Sequence, residues 1–279
     1  MLSRPALIAT AIALAAAAGA GTWHAFGTAA IEGPAAQDGP LPLPPLPPRI
    51  TAGLEYDRCL GMLVNDPEGA ATLAEAWSRR DGTEGAAHCL ALSRIALGDP
   101  AAAAAGLERL AAAEPSALAP ASRAALYLQA AQAWLMAANP ARALAAADRA
   151  ATLAPDDAAI LIERAVAAEH LDRHAEVVAG LTDALRIDPS RPDALVLRAV
   201  ARRHMGEEAP AMDDIQAALA LDPDSPEALL ERGILRQRRH DLPGARTDWE
   251  RVILLAPDTP VADLARQNLF LLEAGPPSN

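Results

Sequence analysis

Residues 185–226 read LRIDPSRPDALVLRAVARRHMGEEAPAMDDIQAALALDPDSP, and this stretch decides the fold. Its two ends carry the same phrase, Asp188-Pro189 and Asp222-Pro223, spaced by 34 residues. Pro155 and Pro257 extend the series on both sides at the same interval. Each proline closes an alanine- or leucine-rich segment of helical character, because proline lacks an amide donor and its predecessor avoids the helical region. Aromatic residues make up only 3% of the chain, and β-branched runs are short, which favours helix throughout. A fixed period of this length marks a stack of two-helix units rather than a single enzyme core.

Counting back from each closing proline exposes three places held by small or slender residues. Twenty-four residues upstream stand Ala131, Ala165, Ala199 and Gly233. Twelve upstream stand Ala143, Val177, Ala211 and Ala245, and five upstream Ala150, Ala184, Ala218 and Val252. Two helices that cross closely, and must nest against the next pair, need small side chains at such contact points. Between them lie Ala138-Asn139-Pro140, Leu171-Asp172-Arg173, Met205-Gly206-Glu207 and Arg239-His240-Asp241, which read as short turns.

This pattern resembles the tetratricopeptide repeat, a 34-residue helix-turn-helix unit, most clearly over 124–259. A further unit runs from Glu84 to Pro115, with Ala91 and Ala103 in the small places, Gly98-Asp99-Pro100 as its turn and Leu110 as a departure. The segment SALAPASR, 116–123, exceeds the period by eight residues and is either a loop or a lengthened helix. A degenerate unit spans about 51–82, with Asp66-Pro67 at its turn, and 260–274 reads as the capping helix a solenoid requires. The resemblance therefore implies an all-α fold, a right-handed α-α superhelix of about six helical hairpins plus a C-terminal capping helix, occupying 51–279. Tyr127, Leu195 and Leu229 take the large-residue place of the family pattern. Trp77, Trp134 and Trp249 fit the hairpin seams by their spacing from leucine and alanine.

Arg198 and Arg232 precede their closing prolines by 25 residues, and Asp214 and Asp248 by nine, so each pair joins the two helices of one unit as a structural ion pair. Arg164 shares the arginine place, but Gly180 replaces the acid. Cys59 and Cys89 fall in first helices of consecutive units, which suits a disulfide in an exported protein. Two inert thiols or a redox pair are the alternatives, the last without a C-x-x-C motif behind it.

The N-terminus is a separate element. Arg4 precedes an apolar or small-residue run from Pro5 to Thr22, the form of an export signal with cleavage after 18–20 or 28–30. The run through Phe26 also suffices to span a bilayer, so 1–30 is either a cleaved signal or an anchor tethering the chain to an inner membrane by residues 5–26. Residues 31–50, with PLPLPPLPPR at 40–49, form an extended proline-rich spacer. The expected location is the periplasm, with membrane contact only through this segment.

A formal charge of −12, without a basic tract, argues against nucleic acid. No nucleophile elbow, phosphate loop or H-E-x-x-H occurs, and His170 and His174, though four apart, flank a turn. We therefore expect no enzyme, cofactor or metal. By resemblance, first helices line a concave groove that holds a protein or peptide. The places read as facing it hold His88, Leu92, Leu128, Gln132, Ile162, Val166, Glu169, Val196, Arg203, His204, Leu230, Gln237 and Arg238. Gln132, Glu169, Arg203, His204, Gln237 and Arg238 are the expected polar contacts, the arginines suiting a carboxylate. The rival expectation is a self-associating scaffold, favoured if apolar residues near Tyr56 and Phe270 are exposed.

Overall fold

The computed structural model describes residues 50–114, 116 and 118–274, which hold thirteen α-helices and no strand. The N-terminal apolar run, the proline-rich spacer up to residue 49 and Pro115 lie outside the described residues. The chain divides into two compact units, residues 50–167 and 168–274 of the described part. The first holds α1 (Leu54–Met62), α2 (Pro67–Asp81), α3 (Glu84–Ala96), α4 (Pro100–Ala112), α5 (Pro120–Met136), α6 (Pro140–Leu153) and most of α7 (Ala158–Glu169). The second holds α8 (His174–Ile187), α9 (Pro192–His204), α10 (Glu208–Leu221), α11 (Pro226–Arg238), α12 (Leu242–Leu255) and α13 (Pro260–Ala274). Within each unit helices pack largely in chain order, and the first helices α1 and α3, α9 and α11, and α11 and α13 also touch.

Local chemistry fixes the hairpin turns. Asp66, Asp99 and Asn139 each stand before a proline and accept a hydrogen bond from the backbone amide three residues on, at 2.8, 3.1 and 3.2 Å. The side-chain oxygen thus satisfies an orphan donor while proline pre-sets the first turn. Ala138, Asp172, Gly206 and His240 all have positive φ, between 52° and 80°. They follow one another at the 34-residue interval, so one left-handed residue stops each first helix. The excess before Ala124 divides between two outcomes: α5 starts at Pro120, one turn early, and the described residues ahead of it, 116, 118 and 119, are outside helix.

All twelve small places counted from the closing prolines are buried. At Gly233 the need is steric, because a Cβ there meets Trp249 Nε1 and lies 2.7 Å from its Cδ1. Trp249 is fully buried and donates Nε1–H to the Leu230 carbonyl at 3.2 Å, so it cannot withdraw freely. Gly233→Ala is expected to cost about 2 kcal/mol through overpacking, although alanine is the better helix former. A variant as stable as the parent in urea titration contradicts this packing.

The expected ion pairs are present and stronger than a simple pair. Arg198 grips Asp214 with Nε and Nη2 at 3.0 and 2.7 Å, and Arg232 grips Asp248 in the same way at 2.9 and 2.7 Å. A second arginine one turn on completes each clamp: Arg202 Nη1 reaches Asp214 and the Pro210 carbonyl, and Arg236 Nη1 reaches Asp248 and the Gly244 carbonyl. Arg164, which lacks an acid in its own unit, turns to Asp148 of the preceding second helix at 2.6 Å. Asp248→Asn keeps the shape but removes the charge that two partly exposed guanidiniums share. We expect a loss of about 2 kcal/mol, read by chemical denaturation.

Cys59 and Cys89 are bonded to each other, so α1 and α3 are covalently joined, and neither cysteine is exposed.

Candidate functional site

First helices carry their polar side chains in registers that repeat with the 34-residue period. Glu169, Arg203 and Gln237 share one place, and His170, His204 and Arg238 the next, all at or just beyond the C-terminal ends of these helices. In the second unit three of these residues, Glu169, Arg203 and His204, meet with His174 and Glu231. Glu169, at the end of α7, accepts from His174 Nδ1 on α8 at 3.2 Å. The His174 ring stacks on that of His204 at 4.7 Å between centroids, only 18° from parallel. Arg203 Nη2 donates to His204 Nε2 at 3.3 Å, and its Nε donates to Glu231 Oε1 of α11 at 2.5 Å. A guanidinium only donates, so His204 Nε2 must be unprotonated.

The electrostatics agree with that assignment. Burial pushes His204 down to about 4, and the charge of Arg203 acts in the same direction. Burial raises the Glu169 carboxyl, against the hydrogen bond from His174. Arg203 and Glu231 are 9% and 2% exposed, so their pair is internal. Toward solvent, Arg238 Nε donates to Glu208 Oε1 at 2.7 Å, with both side chains partly exposed. Gln237 is half-buried, and its side chain has no hydrogen bond among the described residues.

The arginines at 202, 203, 236 and 238 each face an acid: Asp214, Glu231, Asp248 and Glu208 respectively. Sequence reasoning misses Glu231 and His174. Glu231 does occupy the register of Gln129, Glu163 and Leu197, polar in three repeats of four, and that is the available signal.

The first unit carries a comparable polar seam. Tyr56 on α1 donates to His88 Nδ1 at 2.8 Å, and His88 Nε2 on α3 donates to Gln129 Oε1 on α5 at 2.9 Å. Gln132 Nε2 reaches Glu163 Oε1 on α7 at 2.9 Å, while Gln132 Oε1 is buried without a partner among the described residues. Nine of the thirteen residues read as lining an open face are in fact buried: His88, Leu92, Gln132, Ile162, Val166, Glu169, Val196, Arg203 and Leu230. Their helices are covered on more sides than an exposed wall allows. Tyr56 is also buried, whereas Phe270 is 69% exposed.

His88 makes the first unit acid-sensitive. Burial lowers it to about 4, although the Gln129 bond resists. The unfolded chain, near 6.5, therefore binds more protons than the fold between these values. Stability present above pH 6.5 is lost as pH falls toward 4, by about 2–3 kcal/mol. His88→Gln should flatten that part of the melting-temperature profile, and an unchanged slope contradicts it. No group of three or more metal-ligating side chains is assembled among the described residues, and none of their helices is long and apolar enough to cross a membrane.

No protein-family model and no curated protein matches the sequence. Solved structures match the fold. The chain is similar to pilF of Pseudomonas aeruginosa, at 15% identity and a TM-score of 0.59, over 77% of this chain and 96% of that one. It is similar to YrrB, a TPR protein with an unusual peptide-binding site, at 14% identity and a TM-score of 0.53, over 72% and 100% of the two chains. It is also similar to TTC0263, a thermophilic TPR protein of Thermus thermophilus, at 21% identity and a TM-score of 0.54, over 68% and 100%.

Proposed function

We infer, from a chain that has the tetratricopeptide-repeat fold, that this protein is a non-catalytic interaction module holding a peptide or partner domain. The observation that carries the reading is the repeated polar register at the ends of α9 and α11. There His204, Gln237 and Arg238 combine partial exposure with donor and acceptor groups that the fold does not fully use. Arg238 is tied only to a partly exposed carboxylate, and an acidic or amide-bearing partner can exchange for it at small cost. YrrB offers a parallel, being described as having a peptide-binding site. Glu169 and Arg203 act beneath this surface, fixing the helix ends that present it, while Gln132 is bonded to Glu163 within the first unit.

The proposed setting is the periplasm of a cell envelope, where the module supports assembly or maturation of envelope proteins. The charged start and apolar run of residues 4–22, the proline-rich spacer and a bonded cysteine pair support that setting. Proximity crosslinking in native cells tests the contact surface. Crosslinks to a partner should be lost in a Gln237→Ala, Arg238→Glu variant, and undiminished crosslinks rule out this surface. Protease accessibility tests the setting: protection in intact cells, lost on permeabilising the outer membrane, is the expected result. Protection in both states removes the envelope assignment.

The self-associating scaffold draws on one observation, the exposure of Leu254, Phe270 and Leu271 on α12 and α13. Sedimentation that depends on protein concentration, and no longer does so in Phe270→Glu, supports that reading instead.

A further inference from the structure

The second unit holds a pocket of about 250 Å³ on the side of α11 that carries its clamp, lined by Met212, Gln216, Arg232, Arg236, Arg239 and Asp241. It adjoins the end of α11, whose last turn holds Arg236 and whose cap is Arg239, but it is lined by none of the residues on which the function proposed above rests. Arg232 spends Nε and Nη2 on Asp248, and Arg236 spends Nη1 on Asp248 and the Gly244 carbonyl. Arg239 uses Nη2 on the Glu208 carbonyl. Among the described residues, Arg232 Nη1, Arg236 Nη2, and Nε and Nη1 of Arg239 make no hydrogen bond. Three guanidiniums thus border one pocket with donors to spare. Asp248 and Asp241, the latter 3.7 Å from Arg236, supply two opposing charges.

The repeat immediately before provides an internal control. There Arg198 has the place of Arg232, but its Nη1 donates to Thr182 Oγ1 at 3.1 Å. Gln216 stands where Thr182 does, one period later, and leaves Arg232 Nη1 unserved. Met205 stands where Arg239 does, so the earlier repeat lacks the third guanidinium. The last repeat therefore lacks the bond that occupies Nη1 in its predecessor and carries an additional guanidinium at the same spot. Both changes alter the site in one direction, toward holding an acceptor from outside.

We propose that this pocket binds a carboxylate carried by an acidic segment of a protein partner. The guanidinium fork already matches carboxylate geometry in this structure, since the neighbouring Arg232 and Asp248 meet through two parallel bonds. Binding is weak and salt-dependent, as expected for a partly open site.

The test is fluorescence anisotropy of a fluorescein-labelled hexaglutamate peptide titrated with the full chain at low salt. The variant Gln216→Thr, Arg239→Met gives these two places the residues of the preceding repeat. It should weaken the peptide about tenfold and leave the thermal melt unchanged. Arg239→Met alone, at an exposed turn, should weaken it part of the way. Unchanged binding in the double variant overturns the proposal, as does absence of binding by the parent at millimolar protein. A larger loss in Gln237→Ala, Arg238→Ala than in the double variant overturns it too, by moving the site to the first-helix ends. Displacement of the peptide by inorganic tripolyphosphate at lower concentration than by glutarate overturns the carboxylate assignment.

Discussion

Arg203→Ala is expected to lower the stability of the second unit by about 3–5 kcal/mol, the largest effect of any single substitution considered. The side chain binds Glu231, and both residues are almost wholly removed from solvent. Truncation leaves the Glu231 carboxylate buried beside no counter-charge, and it must either draw in water or take up a proton. The pair itself adds little net stability, because desolvation of both groups offsets most of their attraction. The double change Arg203→Met, Glu231→Leu should therefore recover most of what the single change loses. Urea titration of the four proteins of this cycle measures the coupling directly. A single-variant loss below about 1 kcal/mol means that the pair is solvated. A double variant as poor as the single one means that the loss comes from packing. Arg203 is for this reason a poor probe of partner binding, and Gln237 and Arg238 are the better ones.

Cys59→Ala combined with Cys89→Ala should destabilise the first unit by about 3.5 kcal/mol, on the chain-entropy relation for a loop of this length. The bond closes a sequence separation of 30 residues and joins α1 to α3, near the Tyr56, Trp77 and Ala86 cluster. Freeing it returns conformational freedom to the unfolded ensemble while the folded contacts stay in place. Hydrogen exchange resolved by segment should show α1–α3 opening far more often, with α9–α12 unaltered. Equal protection with and without the bond would show that apolar packing alone secures these helices. Because both sulfurs are buried, reduction in the native state should wait for local opening.

The hairpins are legible in the sequence because their rules are local. A proline stops a helix, an Asx residue starts one, and a fixed period repeats both, so the turn at 205–207 and the Arg198–Asp214 clamp follow from register within one unit. Assignment across units is where the reading fails. Glu231 lies 28 residues beyond Arg203, in the next hairpin, and no periodicity within a repeat pairs those places. Val196 and Leu230 read as contact area because each belongs to a first helix, yet both are buried. A first helix packs against its own second helix and also against neighbouring first helices, so less of it is free than a single hairpin suggests. Arg164 gives the same lesson. With Gly180 opposite, the acid comes from Asp148 in the hairpin before.

The contrast between clamps that close inside a hairpin and the Arg203–Glu231 bond that crosses between hairpins bears on how such a chain can evolve. Excising 192–225 would cut no clamp, but it would set Glu169 in the place of Arg203, one acid facing another. Copying the same segment would present Arg203 with Leu197, leaving a cation among hydrocarbon. The last two repeats match in their internal clamps but not in what each presents to its neighbour, so moving a whole repeat breaks the charge pairing at the seam.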